Sequence, residues 1–252
     1  MSDEKKIFTR KEFEELRIGS AADMAADLEL QKDALDVLVR ADQYYWIHQT
    51  NWLGEPILNL PQDMFAIQEI IFKTRPEYII EIGVAWGGSL LYFSTLMEVL
   101  GGKGVIGIDV FLPEDLRIRL SSHGKLSEHL TLVNASSIDK ETVNKISTIV
   151  GDSRKCLVIL DSHHSHDHVL TELNYYSQFV GEGNYIVVCD TIIENIPIQE
   201  NRPRPWALGN NPRTALDQFL SENDRFEIDR QINNKLLLTC NYNGYLRCRY
   251  DR

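Results

Sequence analysis

The sequence predicts an α/β protein built on a doubly wound, mostly parallel sheet, with an antiparallel C-terminal edge and a helical, aromatic N-terminal extension. Three observations carry this prediction. From residue 78 onward, short apolar runs of strand length alternate with longer segments of helical period. Three of those runs end at or beside a carboxylate, at Asp109, Asp161 and Asp190, and a fourth, YIIEI, carries Glu81 near its end. That fourth run continues into GVAWGGS, after which the pattern is apolar again with a different period.

The elements follow in order. Residues 1–45 read as mostly helical and polar, with Leu28, Leu30, Leu35 and Leu38 recurring between acidic residues. The next stretch, YYWIHQTNWLGEPILNLPQDM, is aromatic, and Gly54, Pro56 and Pro61 bar a single long helix. It reads as a lid over a site, with Trp52 as a substrate contact, or as an apolar strap across the domain. The chain therefore divides into an N-terminal helical and lid or oligomerisation segment over 1–61 and a main domain over 62–252. Residues 62–74 form a helix with Met64, Ile67, Ile70 and Ile71 near one face, ending before Pro76. Strand 78–82 runs into Gly83, Gly87 and Gly88, and Ser89 stands where the N-cap of a helix over 89–100 is expected. Strands follow at 105–110, 129–133, 156–161 and 185–190, with helices near 134–146, 166–180 and 212–222 between and after them. The closing runs FEIDR and KLLLTCNYNGYLRC supply the antiparallel edge.

Composition narrows the function. The 252 residues hold 26 Lys+Arg against 37 Asp+Glu, a net charge of -11, which disfavours nucleic acid as a partner. No run approaches the roughly 20 apolar residues of a membrane span, and the charged N-terminus lacks an export signal, so a cytoplasmic location is expected. Cys156, Cys189, Cys240 and Cys248 have no CxxC spacing and read as buried free thiols.

In an open α/β sheet, ligands bind beyond the carboxyl ends of the strands. Four acids gathered there repel one another unless a cation or hydrogen bonds compensate, so the pattern calls for a metal, a donor-rich ligand, or both. A glycine turn lets a ligand approach the backbone, and the helix N-terminus behind it offers free N–H groups. Asp109, one strand beyond that turn, suits ribose hydroxyls. A dinucleotide and an adenosylmethionine cofactor both remain open. The first gap in GVAWGG is wider than GxGxxG allows, and an acid followed by an open glycine turn suits the second. The run DSHHSHDH supplies candidate bases, while the i, i+4 spacing of His164 and His168 also fits a zinc site and a zinc-dependent hydrolase. Arg204 and Trp206, in RPRPWALGNNPR, suit a sugar ring or a carboxylate, and Asn211 with Pro212 suits a helix cap.

The stretches WLGEPILNLPQDMFAIQEIIFKTRPEYIIEIGVAWGGSLLYFS, IGIDV, VILDSHHSHDHVLTELNYYSQFVGEGNYIVVCDTIIENIP and RPWALGNNPRTALDQFL, over roughly residues 50–220, resemble the S-adenosylmethionine-dependent methyltransferases grouped with cephalosporin hydroxylase and rhamnosyl O-methyltransferase. E-x-G-x-x-x-G-G-S together with L-D-S-x-H-x-x-x-H-V carries the resemblance. It implies a class I methyltransferase, Rossmann-like sheet and a homo-oligomer. The implied cofactor contacts are Glu81, Gly83, Ala85, Gly87, Ser89, Asp109, Ser136 and Asp161. The resemblance also implies a divalent ion such as Mg2+ on Asp161 and on an acidic pair after the next strand. Only Asp190 of that pair is present, because Cys189 stands in the other place, and Glu194 would substitute if the chain turns helical there. His164 is the implied base, His168 orients the motif, and His163 and His166 are left as an exposed remainder. Trp52, Arg204, Trp206 and Asn211 are the expected acceptor contacts. The resulting expectation is a metal-assisted O-methyltransferase acting on a hydroxyl of a sugar or glycosylated small molecule. The substitution at Cys189 leaves open a non-catalytic S-adenosylmethionine-binding partner of a heteromeric enzyme.

Overall fold

The computed structural model describes residues 8–251 apart from 199 and 201. Two helices open it, α1 (Arg10–Ala26) and α2 (Leu28–Asp42). A single 3-10 turn, Trp46–His48, leads to a small hairpin of β1 (Thr50–Trp52) and β2 (Glu55–Ile57). The main unit then alternates: α3 (Pro61–Thr74), β3 (Tyr78–Ile82), α4 (Gly88–Leu100), β4 (Gly104–Asp109), α5 (Glu114–Ser121), α6 (Lys125–Glu128), β5 (Leu130–Asn134), α7 (Lys140–Val150), β6 (Cys156–Leu160), α8 (His166–Tyr176), β7 (Tyr185–Val188), α9 (Pro212–Glu222), β8 (Phe226–Ile228), α10 (Arg230–Asn234) and β9 (Tyr245–Cys248).

The seven strands β3–β9 form one sheet in the order β5-β4-β3-β6-β7-β9-β8. β5 to β7 are parallel, and β9 pairs antiparallel with both β7 and β8. The expected doubly wound sheet with an antiparallel edge is the one observed. The chain winds outward from β3 to β5 and returns to β6 beside β3, so strand order reverses between β3 and β6. A crevice opens at the carboxyl ends of such a pair. Both faces of the sheet are covered. Ile79, Val105, Leu157 and Val187 pack against α3 and α4 residues such as Ile67, Ile71, Leu90 and Phe93. Ile80, Ile106, Val158 and Ile186 pack against α7, α8 and α9 residues such as Ile146, Leu173 and Leu216. Strands buried on both faces read as continuous apolar runs, which is why these were legible in the sequence.

Some elements differ from expectation. The helix after the glycine turn starts at Gly88, with Gly87 as its N-cap in the left-handed region (φ 82°), so Ser89 lies inside the first turn. The helix expected over 166–180 ends at Tyr176 and continues as a 3-10 turn over Ser177–Phe179. Of KLLLTCNYNGYLRC, only Tyr245–Cys248 is strand. Asp229 caps α10 by accepting from the Gln231 and Ile232 N–H groups, and residues 235–244 are wound around the buried Asp63 instead of extending the sheet.

Candidate active site

The site is built at the reversal point. β3 ends in Ile82, and the chain turns through Gly83 in the left-handed region (φ 95°). A Cβ on Gly83 would lie 2.0 Å from the Asp161 carbonyl oxygen, so the turn after β3 and the end of β6 are in direct backbone contact. Next along the turn, Asp109 Oδ2 accepts from the Val84 N–H at 2.8 Å and the Ala85 N–H at 3.4 Å, and its Oδ1 accepts from the Phe111 N–H at 2.9 Å. Asp109 thus holds the glycine turn in shape while lining the cavity beside it.

That cavity has a volume of about 360 Å³ and is lined by Gly83, Val84, Ala85, Trp86, Ser89 and Asp109 on one side. Asp161, Ser162, His164 and Asp190 line the other side. Beneath the turn, Glu81 is buried and one of its carboxylate oxygens has no hydrogen-bond partner. Burial pushes its pKa well above the carboxylate range, offset in part by the Ser89 hydroxyl and reinforced by the charges of Asp161 and Asp109.

Asp161, His164 and Asp190 offer ligand atoms that all lie within 4.8 Å of one another. His164 Nε2 stands 3.4 Å from Asp190 Oδ2, and Asn59 Nδ2 donates to Asp161 Oδ2 at 3.1 Å. Burial, and then the neighbouring Asp190 charge, push Asp161 well above the carboxylate range. Two carboxylates so placed suit a divalent cation, which would relieve that repulsion, and the His164 imidazole stands beside them. Asp190 itself is left-handed (φ 56°), a conformation that Asp tolerates better than most residues.

Several expected contacts lie elsewhere. The chain does turn helical after Asp190, as a 3-10 turn over Thr191–Asn195. Glu194, however, accepts from the Gly209 N–H and from Asn211 Nδ2, so it secures the following loop and is not in the group with Asp161. Asn211 is fully buried and is an N-cap, accepting from Arg213 N–H at 2.9 Å and Thr214 N–H at 3.4 Å, so it is a structural cap and not an acceptor contact. Trp52 packs edge-on against Tyr92 and donates from Nε1 to Thr95 Oγ1 at 3.1 Å, which fixes the hairpin to α4 and takes Trp52 away from the cavity. Ser136 does not line the cavity; its carbonyl accepts from the Asp139 N–H. Gly87 lies outside the lining too, its position crowded by Leu120. Cys189 is buried among core residues that include Val187, Ile232 and Tyr245, burial pushes its thiol well above its usual pKa, and it stands outside the Asp161–His164–Asp190 group. Arg204 does line the cavity, with its guanidinium 5.8 Å from the Trp206 ring centre, and Trp206 meets His164 edge-on at 5.1 Å.

The histidine run separates by role. His164 precedes α8, so His164 and His168 do not share a helical face as zinc ligands would. His168 instead bonds the fully buried Glu172 at 3.0 Å, which also accepts from Ser162 and Ser137. His163 is exposed, but His166 bridges α8 to Thr214 and Gln218 of α9. Sequence reasoning missed Asn59, Asp42, His48 and Arg202, all of which line the cavity. Arg202 pairs with the buried Asp42, and burial followed by the Arg202 charge lowers the His48 pKa. The one signal for Asn59 was a lone polar residue between Leu58 and Leu60.

The sequence profile of the rhamnosyl O-methyltransferase/CmcI family matches residues 43–249. The chain belongs to that family. It is thereby one of the S-adenosylmethionine-dependent O-methyltransferases, as the motifs around Glu81 and Asp161 implied. The rhamnosyl O-methyltransferase of Mycobacterium bovis (strain BCG / Pasteur 1173P2) is 28% identical over 201 residues, which cover 79% of this chain and 78% of that protein. The protein of the same name from Mycobacterium leprae (strain TN) is 27% identical over 211 residues, covering 81% and 84%. Among solved structures, apo CmcI shares the fold with a TM-score of 0.55 at 21% identity, covering 79% of this chain and 76% of that one. An Mg–SAM form of CmcI gives 0.53 at 20% identity over the same shares.

Proposed function

We propose that this methyltransferase acts on a hydroxyl of a sugar or glycosylated small molecule with the help of a divalent cation, magnesium by preference. The observation that carries the reading is the convergence of Asp161, His164 and Asp190 on the same cavity as the Gly83–Ser89 turn and Asp109. That the M. bovis and M. leprae relatives are named for methylation of rhamnosyl groups supports a sugar acceptor, and the Mg–SAM form of CmcI supports the pairing of cation with cofactor.

Residue by residue, the cofactor half is Glu81, Gly83, Ala85, Ser89 and Asp109. Glu81 lies beneath the turn and outside the cavity lining, and its unpartnered oxygen would be satisfied by a cationic amino group reaching through the turn; Asp109, bonded to the Val84 and Ala85 N–H groups, fits ribose hydroxyls. When bound, S-adenosylmethionine would supply an electrophilic methyl on a sulfonium, and a divalent cation, which Asp161 and Asp190 would hold, would lower the pKa of an acceptor hydroxyl. A sugar hydroxyl is a weak nucleophile and must lose its proton as the new bond forms. His164 accepts that proton at Nε2, with Asp190 beside it to stabilise the imidazolium. Arg204 walls the acceptor side, with Trp206 packed against it and against His164.

Segment 1–61 serves as lid and as an assembly surface. Leu38, Asp42 and His48 reach the cavity, while Phe13, Leu16 and Ile18 of α1 are exposed, which favours a homo-oligomer. A monomer by light scattering at micromolar concentration would remove the assembly role. The reading as a whole is tested by offering the purified chain glycosides, nucleotide-sugars and glycolipids with S-adenosylmethionine and magnesium. Mass detection of one added methyl group, lost on chelation, is the expected result. Acceptor methylation undiminished by chelator would overturn the role of the cation.

A further inference from the structure

Asp190 is held by a buried polar network that the chemistry above does not use. Its backbone N–H donates to Asn241 Oδ1 at 3.2 Å. The residues on either side are clamped to the same turn: Val188 N–H donates to the Gly244 carbonyl at 2.8 Å, Thr191 Oγ1 to the Tyr242 carbonyl at 2.8 Å, and Ile192 N–H to the Cys240 carbonyl at 3.0 Å. Residues 239–245 are in turn gathered on one carboxylate. Asp63, in the first turn of α3, accepts from Thr239 Oγ1, from Cys240 N–H at 2.9 Å and from Tyr245 OH at 2.8 Å. Asn241 N–H closes onto Thr239 Oγ1 at 3.0 Å. Asp63, Asn241 and Tyr245 are all fully buried.

Three donors from residues 239–245 converge on the buried Asp63 carboxylate, and this makes Asp63 the anchor of that turn. Asp190, by contrast, follows the end of its strand in a left-handed conformation, with its carbonyl accepting from the Ile193 N–H at 3.1 Å. The geometry points to Asp63 and Asn241 as positioning residues: acting through the 239–245 turn, they fix the backbone of Asp190 so that its carboxylate meets Asp161 and His164. Neither is a ligand or a catalytic residue. Asn241 acts directly on the Asp190 N–H, and Asp63 acts through Asn241. The inference rests on the proposed cation site and names what aims it.

The test is Mn2+ titration followed by electron paramagnetic resonance, with S-adenosylmethionine affinity by calorimetry and thermal melting run alongside. Asn241→Ala removes the acceptor for the Asp190 N–H. Asp63→Asn keeps the shape but turns an NH2 group toward the turn that Asp63 gathers. Mn2+ affinity is expected to fall at least 10-fold in Asn241→Ala and several-fold in Asp63→Asn. Affinity for S-adenosylmethionine, whose half of the cavity sits on β3 and β4, is expected to stay within 2-fold. A purely structural pin would lower the melting temperature and leave Mn2+ affinity unchanged in the folded variants, and that result overturns the inference. If Asn241→Ala does not fold, unchanged Mn2+ affinity in Asp63→Asn is sufficient to overturn it. Failure of the parent chain to bind Mn2+ would overturn the cation site and this inference together, whereas binding by the parent and unaltered binding by the variants overturns the inference alone.

Discussion

Replacing Gly83 by alanine tests the architecture of the site more sharply than any substitution of a polar residue. The new Cβ would stand 2.0 Å from the Asp161 carbonyl oxygen and 2.6 Å from its carbonyl carbon, and both are backbone atoms that no rotamer change can move away. Restoring ordinary contact near 3.5 Å requires the end of β6 to shift by about 1–1.5 Å. Overpacking of this kind costs about 1–3 kcal/mol, and an L-residue forced to positive φ adds about 1–2 kcal/mol. The expected loss of stability is therefore about 2–5 kcal/mol, read by urea unfolding of the metal-free protein. The shift also moves Asp161 relative to His164 and Asp190. A misplacement of about 1 Å costs on the order of 10²-fold in rate, so turnover should fall by at least that factor even under conditions where the variant is fully folded. A Gly83→Ala protein with parental stability and parental turnover would mean that the turn and Asp161 are not in the contact described here.

Three further outcomes follow from the same geometry. His164→Ala should lower turnover by roughly 10²–10⁴ with little change in S-adenosylmethionine affinity; single-turnover rates equal to the parent's would rule His164 out as the base. Cys189→Glu buries a carboxylate in the core and should destabilise the fold by about 3–5 kcal/mol without tightening magnesium, and tighter magnesium binding in a stable variant would place Cys189 at the metal. Asp161, raised above the ordinary carboxylate pKa of about 3.9, binds its proton more tightly folded than unfolded. Its contribution to stability is thus greatest below that ordinary value and is lost as pH rises toward its folded pKa. A divalent cation takes the proton's place, so magnesium should raise the melting temperature more at pH 8 than at pH 5; equal shifts at the two values would contradict the assignment.

The sheet was legible because its strands are buried on both faces and read as unbroken apolar runs, each followed by a residue that has to be something other than a core residue. Asp109, Asp161 and Asp190 stood out as acids closing such runs. Direction was not legible. Trp52 and Asn211 were expected at the acceptor, but sequence does not say which way a side chain points, and Trp52 turns onto α4 while Asn211 turns into its own helix. Nor were long-range partners. Asn59, Asp42 and His48 reach the cavity only because the hairpin and α2 fold back over the sheet, and residues 235–244 left the strand pattern because of Asp63, 176 residues upstream of Thr239.

The position of α2 bears on what shapes the cavity. The family profile begins at residue 43, yet Leu38, Val39 and Asp42 line the cavity, and Asp42 is tied to Arg202 on the opposite wall. Part of the wall therefore lies outside the segment that defines the family, on an element that supplies none of the reacting groups. A change in α2 would thus reshape the cavity without touching Asp109, Asp161, His164 or Asp190, all of which lie on other elements.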